Sequence, residues 1–113
     1  MNFKQLSDRA MEIREKFGDF ELANGERKWT REDVMMGFVG DVGDLAKLVM
    51  AHQNIRAIPD KDVKLEHELA DCLWSILVLA RMYDIDLESA FLDTMNELET
   101  LLDNHAQQKN EPK

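Results

Sequence analysis

Two pairs of carboxylates carry the most chemistry in this chain. Asp41 and Asp44 stand in Gly40-Asp-Val-Gly-Asp-Leu45, and Glu68 and Asp71 in His67-Glu-Leu-Ala-Asp-Cys72. Each pair has i, i+3 spacing, so on a helix both members share a face. Both stretches otherwise read as buried helix, where carboxylates seldom sit without a partner. Four carboxylates brought together raise one another's pKa values, and a divalent cation removes that penalty. All-oxygen ligands suit a hard ion, Mg²⁺ or Mn²⁺, and Mg²⁺ takes substrate phosphates as further ligands. The pattern points to a cation held between two helices and to a phosphate-bearing ligand met through it. Acids at this spacing are also common on solvated faces, so the competing expectation is a plain helical bundle with surface aspartates.

A helical wheel weighs the two. With Asp41 at zero and about 100° per residue, Phe38, Val42, Leu45 and Val49 spread over about 40° to 100°, and Val34 falls near 20°. Asp41 therefore lies inside the apolar arc and Asp44 at its edge, while Met36 and Lys47 lie opposite. A solvated acidic face would put the aspartates with Lys47. Lys64 and Ser75 share the face of Glu68 and Asp71. Gly37, Gly40 and Gly43 recur every third residue, and each costs about 1 kcal/mol against Ala in a helix interior. Close helix packing would offset that cost, and so would room for a metal and its ligand.

These residues need helices to position them, and the chain reads as all-α. It has two prolines, five glycines and no β alternation. A first helix is expected from Phe3 to Phe17, on the apolar series Phe3, Leu6, Ala10, Ile13, Phe17. Gly18-Asp19 and Asn24 to Lys28 read as loop. A second helix starts at Thr30, with Asp33 completing a capping box, and runs to about His52. Asn54 to Pro59 connects it to a third, capped by Asp60 and running to about Tyr83. From Leu69 that helix is apolar nearly all round, which makes it central in the fold or buried in an oligomer. Asp86 caps a fourth helix with a stripe of Leu87, Ala90, Phe91, Met95, Leu98, Leu101 and Leu102. The expected architecture is a four-helix bundle, one domain over residues 1–106, with a polar tail over 107–113.

Composition narrows the partners. A formal net charge of −9, from 23 acids and 14 bases, argues against nucleic acid and anionic membrane. Cys72 is the one cysteine, so there is no internal disulfide or cysteine metal knuckle, and it reads as a small core residue. No Glu-x-x-His pair occurs, which argues against a ferritin-like di-iron site. With no long apolar stretch and no signal-peptide core, the expected location is cytoplasmic.

From about Trp29 to Phe91 the chain resembles the MazG-like, all-α nucleoside triphosphate pyrophosphohydrolases, whose pattern is E-x-x-E on one helix and E-x-x-D on the next. It is most similar to the branch reading G-E-V-G-E-L, then E-L-A-D-V-L. The resemblance implies Asp41, Asp44, Glu68 and Asp71 as Mg²⁺ ligands and catalytic centre. It implies cleavage of a nucleoside triphosphate to the monophosphate and pyrophosphate, and assembly as a homodimer or homotetramer. Trp29 stands where an aromatic of this branch borders the base, although it also suits a hydrophobic staple. The first pair is Asp-x-x-Asp rather than Glu-x-x-Glu, and the Lys-Tyr-Pro-like end that grips phosphates in the family is missing. Lys64, Lys47, Arg31 and Arg56 are the candidate replacements, with Lys64 equally a surface partner of Glu68. The alternative is a non-catalytic member that binds metal, nucleotide or a protein partner.

Overall fold

A computed structural model describes residues 1–54 and 57–110, with side chains as far as residue 108. Arg56 and the last three residues expected as tail lie outside the described residues. Four α-helices follow in order: α1 Phe3–Ala23, α2 Arg31–His52, α3 Lys61–Met82 and α4 Leu87–Asn110. Among the described residues there is no strand, as expected of an all-α chain.

Local chemistry sets the helix ends. Thr30 Oγ1 accepts from the Asp33 amide at 3.3 Å, and Asp33 Oδ2 accepts from the Thr30 amide at 2.9 Å. That is the capping box read from the sequence. Asn2 and Gln5 form a second one at the start of α1, each accepting from the other's amide at 2.9 Å. Asp86 Oδ1 accepts from the Ser89 amide at 3.1 Å, capping α4. Asp60 precedes α3 but makes no side-chain cap, because its backbone is left-handed at φ 54°. The α1 and α3 C-termini close with paired amide bonds. Glu26 donates to the Glu21 carbonyl and Gly25 to that of Leu22, while Ile85 donates to Ala80 and Asp84 to Arg81. Gly25 and Asp84 take the left-handed conformation this closure requires.

One boundary differs from expectation. Helix α1 does not stop at Phe17 but continues through Gly18 and Asp19 to Ala23. Gly18 is a packing position: a Cβ there would stand 2.8 Å from Lys28 Cε, whose chain lies across it. The extra turns carry Phe20 and Glu21. At the other end, α4 runs to Asn110 and absorbs most of the expected tail.

Helix α3 is the centre. Val34 on α2 meets Leu77 and Val78, Asp41 meets Glu68, and His52 Nε2 lies 3.2 Å from Asp62. As α2 is followed backward α3 is followed forward, so the two are antiparallel. Helix α1 crosses the same part of α3. Trp74 Nε1 donates to the Ala10 carbonyl at 3.1 Å, and Arg81 donates to Ser7 Oγ and Asp8 Oδ1 at 3.1 and 2.7 Å. Val34 and Val78 are the largest fully buried side chains. The core they head is thin, as a domain of this size dictates.

Beyond Leu87, α4 leaves this core with its apolar stripe uncovered. Leu69 and Leu73 of α3 are also about half exposed. The radius of gyration is 19.0 Å, against about 13 Å for a compact chain of this length.

Thr30→Ala is expected to lower the unfolding free energy by about 1 kcal/mol in urea denaturation; an unchanged midpoint would show that the cap does not hold α2. Asp33 tests the same corner by pH. The Arg27 guanidinium, then the Thr30 amide, hold its carboxyl far below the usual carboxylate range. A depressed folded pKa contributes stability above the unfolded value and loses it as pH falls. The difference between wild type and Asp33→Asn is therefore expected to shrink as the protein is acidified below about pH 4.

Candidate functional site

The antiparallel register of α2 and α3 brings Asp41 and Asp44 against Glu68. Their carboxylate oxygens lie within 4.8 Å of one another. Asp71, one turn on, stands beside this group rather than in it, with Oδ2 3.1 Å from His67 Nε2 and its side chain 40% exposed. Among the described residues no Lys or Arg forms an ion pair with Asp41, Asp44 or Glu68. Oε2 of Glu68 is buried and has no hydrogen-bond partner.

The electrostatics follow from that crowding. Burial, then the charges of Asp71 and Asp44, push the Asp41 carboxyl above its ordinary range, against a small opposing pull from His67. Burial likewise pushes Glu68 up, followed by Asp41, Asp71 and Asp44. Burial and the same acids raise the Cys72 thiol, which leaves it protonated at neutral pH and unsuited to metal ligation. Carboxylate oxygens are what remains. Three of them converge, one is orphaned and buried, and among the described residues no Lys or Arg pairs with them. The residues present therefore fit a hard divalent cation.

A cavity of about 350 Å³ adjoins this group. Asp41 belongs to both, as one of the converging carboxylates and as part of the cavity lining. Phe17, Phe20, Trp29 and Trp74 supply aromatic walls; Arg14, Glu21 and Lys28 supply charge. The rings of Phe17 and Trp74 meet edge to face, with centroids 6.0 Å apart at 72°. Arg14 donates to the Trp29 carbonyl at 3.0 Å and ties the residue before α2 to α1. The volume and apolar character suit a flat organic group, with the acidic cluster at hand for whatever that group carries.

The glycines divide between the two explanations open for them. A Cβ on Gly37 would lie 2.9 Å from the Trp29 ring, so Gly37 lets that ring settle on α2. At Gly40 and Gly43 a Cβ would meet nothing within 4 Å, so packing does not explain them and space beside Asp41 and Asp44 remains.

Of the residues expected to touch a substrate, Trp29 lines the cavity. Lys47 and Lys64 are exposed and do not. Arg31 lies over the Tyr83 ring, 4.6 Å from its centroid. Trp74, expected in the core, packs there and also faces the cavity. Sequence reasoning missed Arg14, Glu21 and Lys28. Phe17, Phe20 and Glu21 do share a helical face, but reading Gly18 as a helix stop hid that signal.

A family model described as MazG nucleotide pyrophosphohydrolase domain matches residues 29–102. No curated protein and no solved structure matches the chain. The matched segment takes in α2, α3 and much of α4; α1, which builds one wall of the cavity, lies outside it.

Raised carboxyl pKa values have a fixed consequence for stability. The folded state holds protons at a pH where the unfolded chain has released them, so metal-free stability falls as pH rises through the raised values. Asp41→Asn and Glu68→Gln are each expected to raise the metal-free melting temperature by about 2–5 °C. Both should also lose the rise that Mg²⁺ produces in the wild type. Scanning calorimetry with and without Mg²⁺ checks both halves, and a metal-free destabilisation by either variant would contradict the account.

Proposed function

We propose that this chain, which belongs to the MazG nucleotide pyrophosphohydrolase domain family, is a Mg²⁺-dependent nucleoside triphosphate pyrophosphohydrolase. It takes a ribo- or deoxyribonucleoside triphosphate and releases the monophosphate and pyrophosphate. A free-nucleotide activity of this kind suits removal of unwanted nucleotides from the pool. The family is one of nucleotide pyrophosphohydrolases. The observation that carries the reading for this chain is the shared position of Asp41, between a carboxylate cluster and an aromatic cavity.

Asp41, Asp44 and Glu68 would hold the cation, with Asp71 completing the ligand set from the next turn of α3. When bound, Mg²⁺ or Mn²⁺ supplies charge neutralisation for the phosphates and a lowered pKa for a bound water. The chain's own groups do the rest. The orphaned Oε2 of Glu68 can accept a proton from the attacking water and fix its direction. Trp29 presents a ring face for the base, held by Arg14 through its carbonyl and seated by Gly37. The walls of Phe17 and Trp74 keep water from that end of the substrate. Lys64 and Lys47 remain candidates for the outer phosphates, reached across solvent from their exposed positions.

One observation favours a second reading, a non-catalytic member that binds metal, nucleotide or protein. Asp71 is engaged by His67 instead of joining the three converging carboxylates.

The apolar faces of α3 and α4 suit burial against another copy, so the working unit is taken as a homodimer or homotetramer. Phe91, Leu98 and Leu101 are 57%, 46% and 63% exposed on one face of α4. Exposure on this scale along a whole helix marks an interaction surface. Light scattering behind size exclusion is expected to give at least twice the chain mass, and Phe91→Asp with Leu98→Asp to give one chain mass; a monomeric wild type would remove this part.

Turnover is tested with Mg²⁺ and a panel of nucleoside triphosphates, scored by pyrophosphate release. Chelation should abolish it, and Glu68→Gln or Asp71→Asn should cut kcat by at least about 100-fold. Calorimetric binding without turnover in the wild type would select the second reading. Absence of both metal binding and turnover would sink the two together.

A further inference from the structure

Glu21 is a buried acid of the cavity that the hydrolytic reading leaves unused. It sits in the last turn of α1, is 9% exposed, and lines the cavity. Its Oε2 is buried without a hydrogen-bond partner. Three cations lie nearby and none donates to Glu21, although Arg14 keeps a buried Nε without a partner in the same cavity. Arg14 binds the Trp29 carbonyl, Arg27 pairs with Asp33, and Lys28 crosses Gly18 with its Nζ 3.8 Å from Glu15. A buried carboxylate oxygen that accepts nothing is costly, and a ligand that supplies the missing donor would remove that cost.

The chemistry of the missing donor is narrow. A carboxylate only accepts hydrogen bonds. The cavity around it is walled by Trp29, Trp74 and Phe17, which suits a flat aromatic ring carrying an N–H group at its edge. Cytosine, adenine and guanine each carry an exocyclic amino group. Thymine and uracil present carbonyl oxygens on either side of a single ring N–H, and an oxygen turned toward Glu21 would repel it. We infer that Glu21 is the specificity-determining residue of the base pocket, and that the pocket selects nucleotides with an amino-bearing base over those of thymine or uracil. This rests on the nucleotide reading of the site and adds to it a base class and a residue that lies outside the family match.

The chain's two tryptophans both line the cavity, so their emission reports on its occupancy without any turnover. The full chain is titrated in Mg²⁺ with the deoxynucleoside monophosphates of cytosine, adenine, guanine and thymine, following quenching corrected for absorbance. At least one amino-bearing nucleotide is expected to bind about tenfold to a hundredfold more tightly than thymine's, the range of one charge-assisted hydrogen bond. Glu21→Gln, which can offer an N–H to a carbonyl, should bring thymine to within about threefold of the others. Glu21→Ala, checked for helicity by circular dichroism, serves if the glutamine variant does not fold. Equal binding of all four bases by the wild type would overturn the inference, as would no quenching by any of them. So would discrimination that survives in a folded Glu21 variant. Base discrimination without hydrolysis would sink the pyrophosphohydrolase reading and keep this one. Hydrolysis without discrimination would do the reverse.

Discussion

Asp41 can approach Glu68 only while α2 and α3 keep one axial register, and the whole site depends on that register. Val34 closing on Leu77 and Val78 sets it at one end, and the meeting of His52 and Asp62 marks the other. Between these ends the helices place carboxylates face to face, which opposes the packing that aligns them. Burial and mutual repulsion raise Asp41 and Glu68 together. The apolar seam must therefore outweigh a cost that a cation would remove.

Helix α1 turns this pair into a site with two compartments. It docks across α3 through Trp74, Ser7 and Arg81, and its last turns then overhang the start of α2. The cavity left between them is walled by aromatic rings, while the adjoining cluster is acidic. A molecule with a flat ring at one end and phosphates at the other matches both parts, with Asp41 at the boundary. The glycines of α2 serve the two compartments differently. Gly37 makes room for Trp29, whereas Gly40 and Gly43 face open space.

The remaining structure leaves much apolar surface uncovered. The core is thin, the α3 surface is half uncovered, and α4 leaves the core after Leu87. The expectation that α3 is apolar because it is central, or because an oligomer covers it, divides along its circumference. Val78 and Leu77 face α1 and α2, and Leu69 and Leu73 face outward.

The four helices, the Thr30 cap, the Asp86 cap and the two acidic pairs were legible in the amino-acid sequence because each depends on spacing within one segment. Helical periodicity and capping are local, and so is the i, i+3 rule. The same locality explains the failures. Gly18 reads as a breaker until Lys28 is seen lying across it, and with that error the cavity face of Glu21 disappears. Asp60 has the right type for a cap but the wrong backbone. How near Asp71, which lies beside His67, stands to the other three acids depends on the rotation of α3 against α2, which no spacing within α3 encodes. Sequence alone determined which residues carry charge and which helix face they share. Only the packing of three helices decided which of those faces meet, since a contact between distant segments is set by the fit of whole surfaces and not by any spacing along the chain.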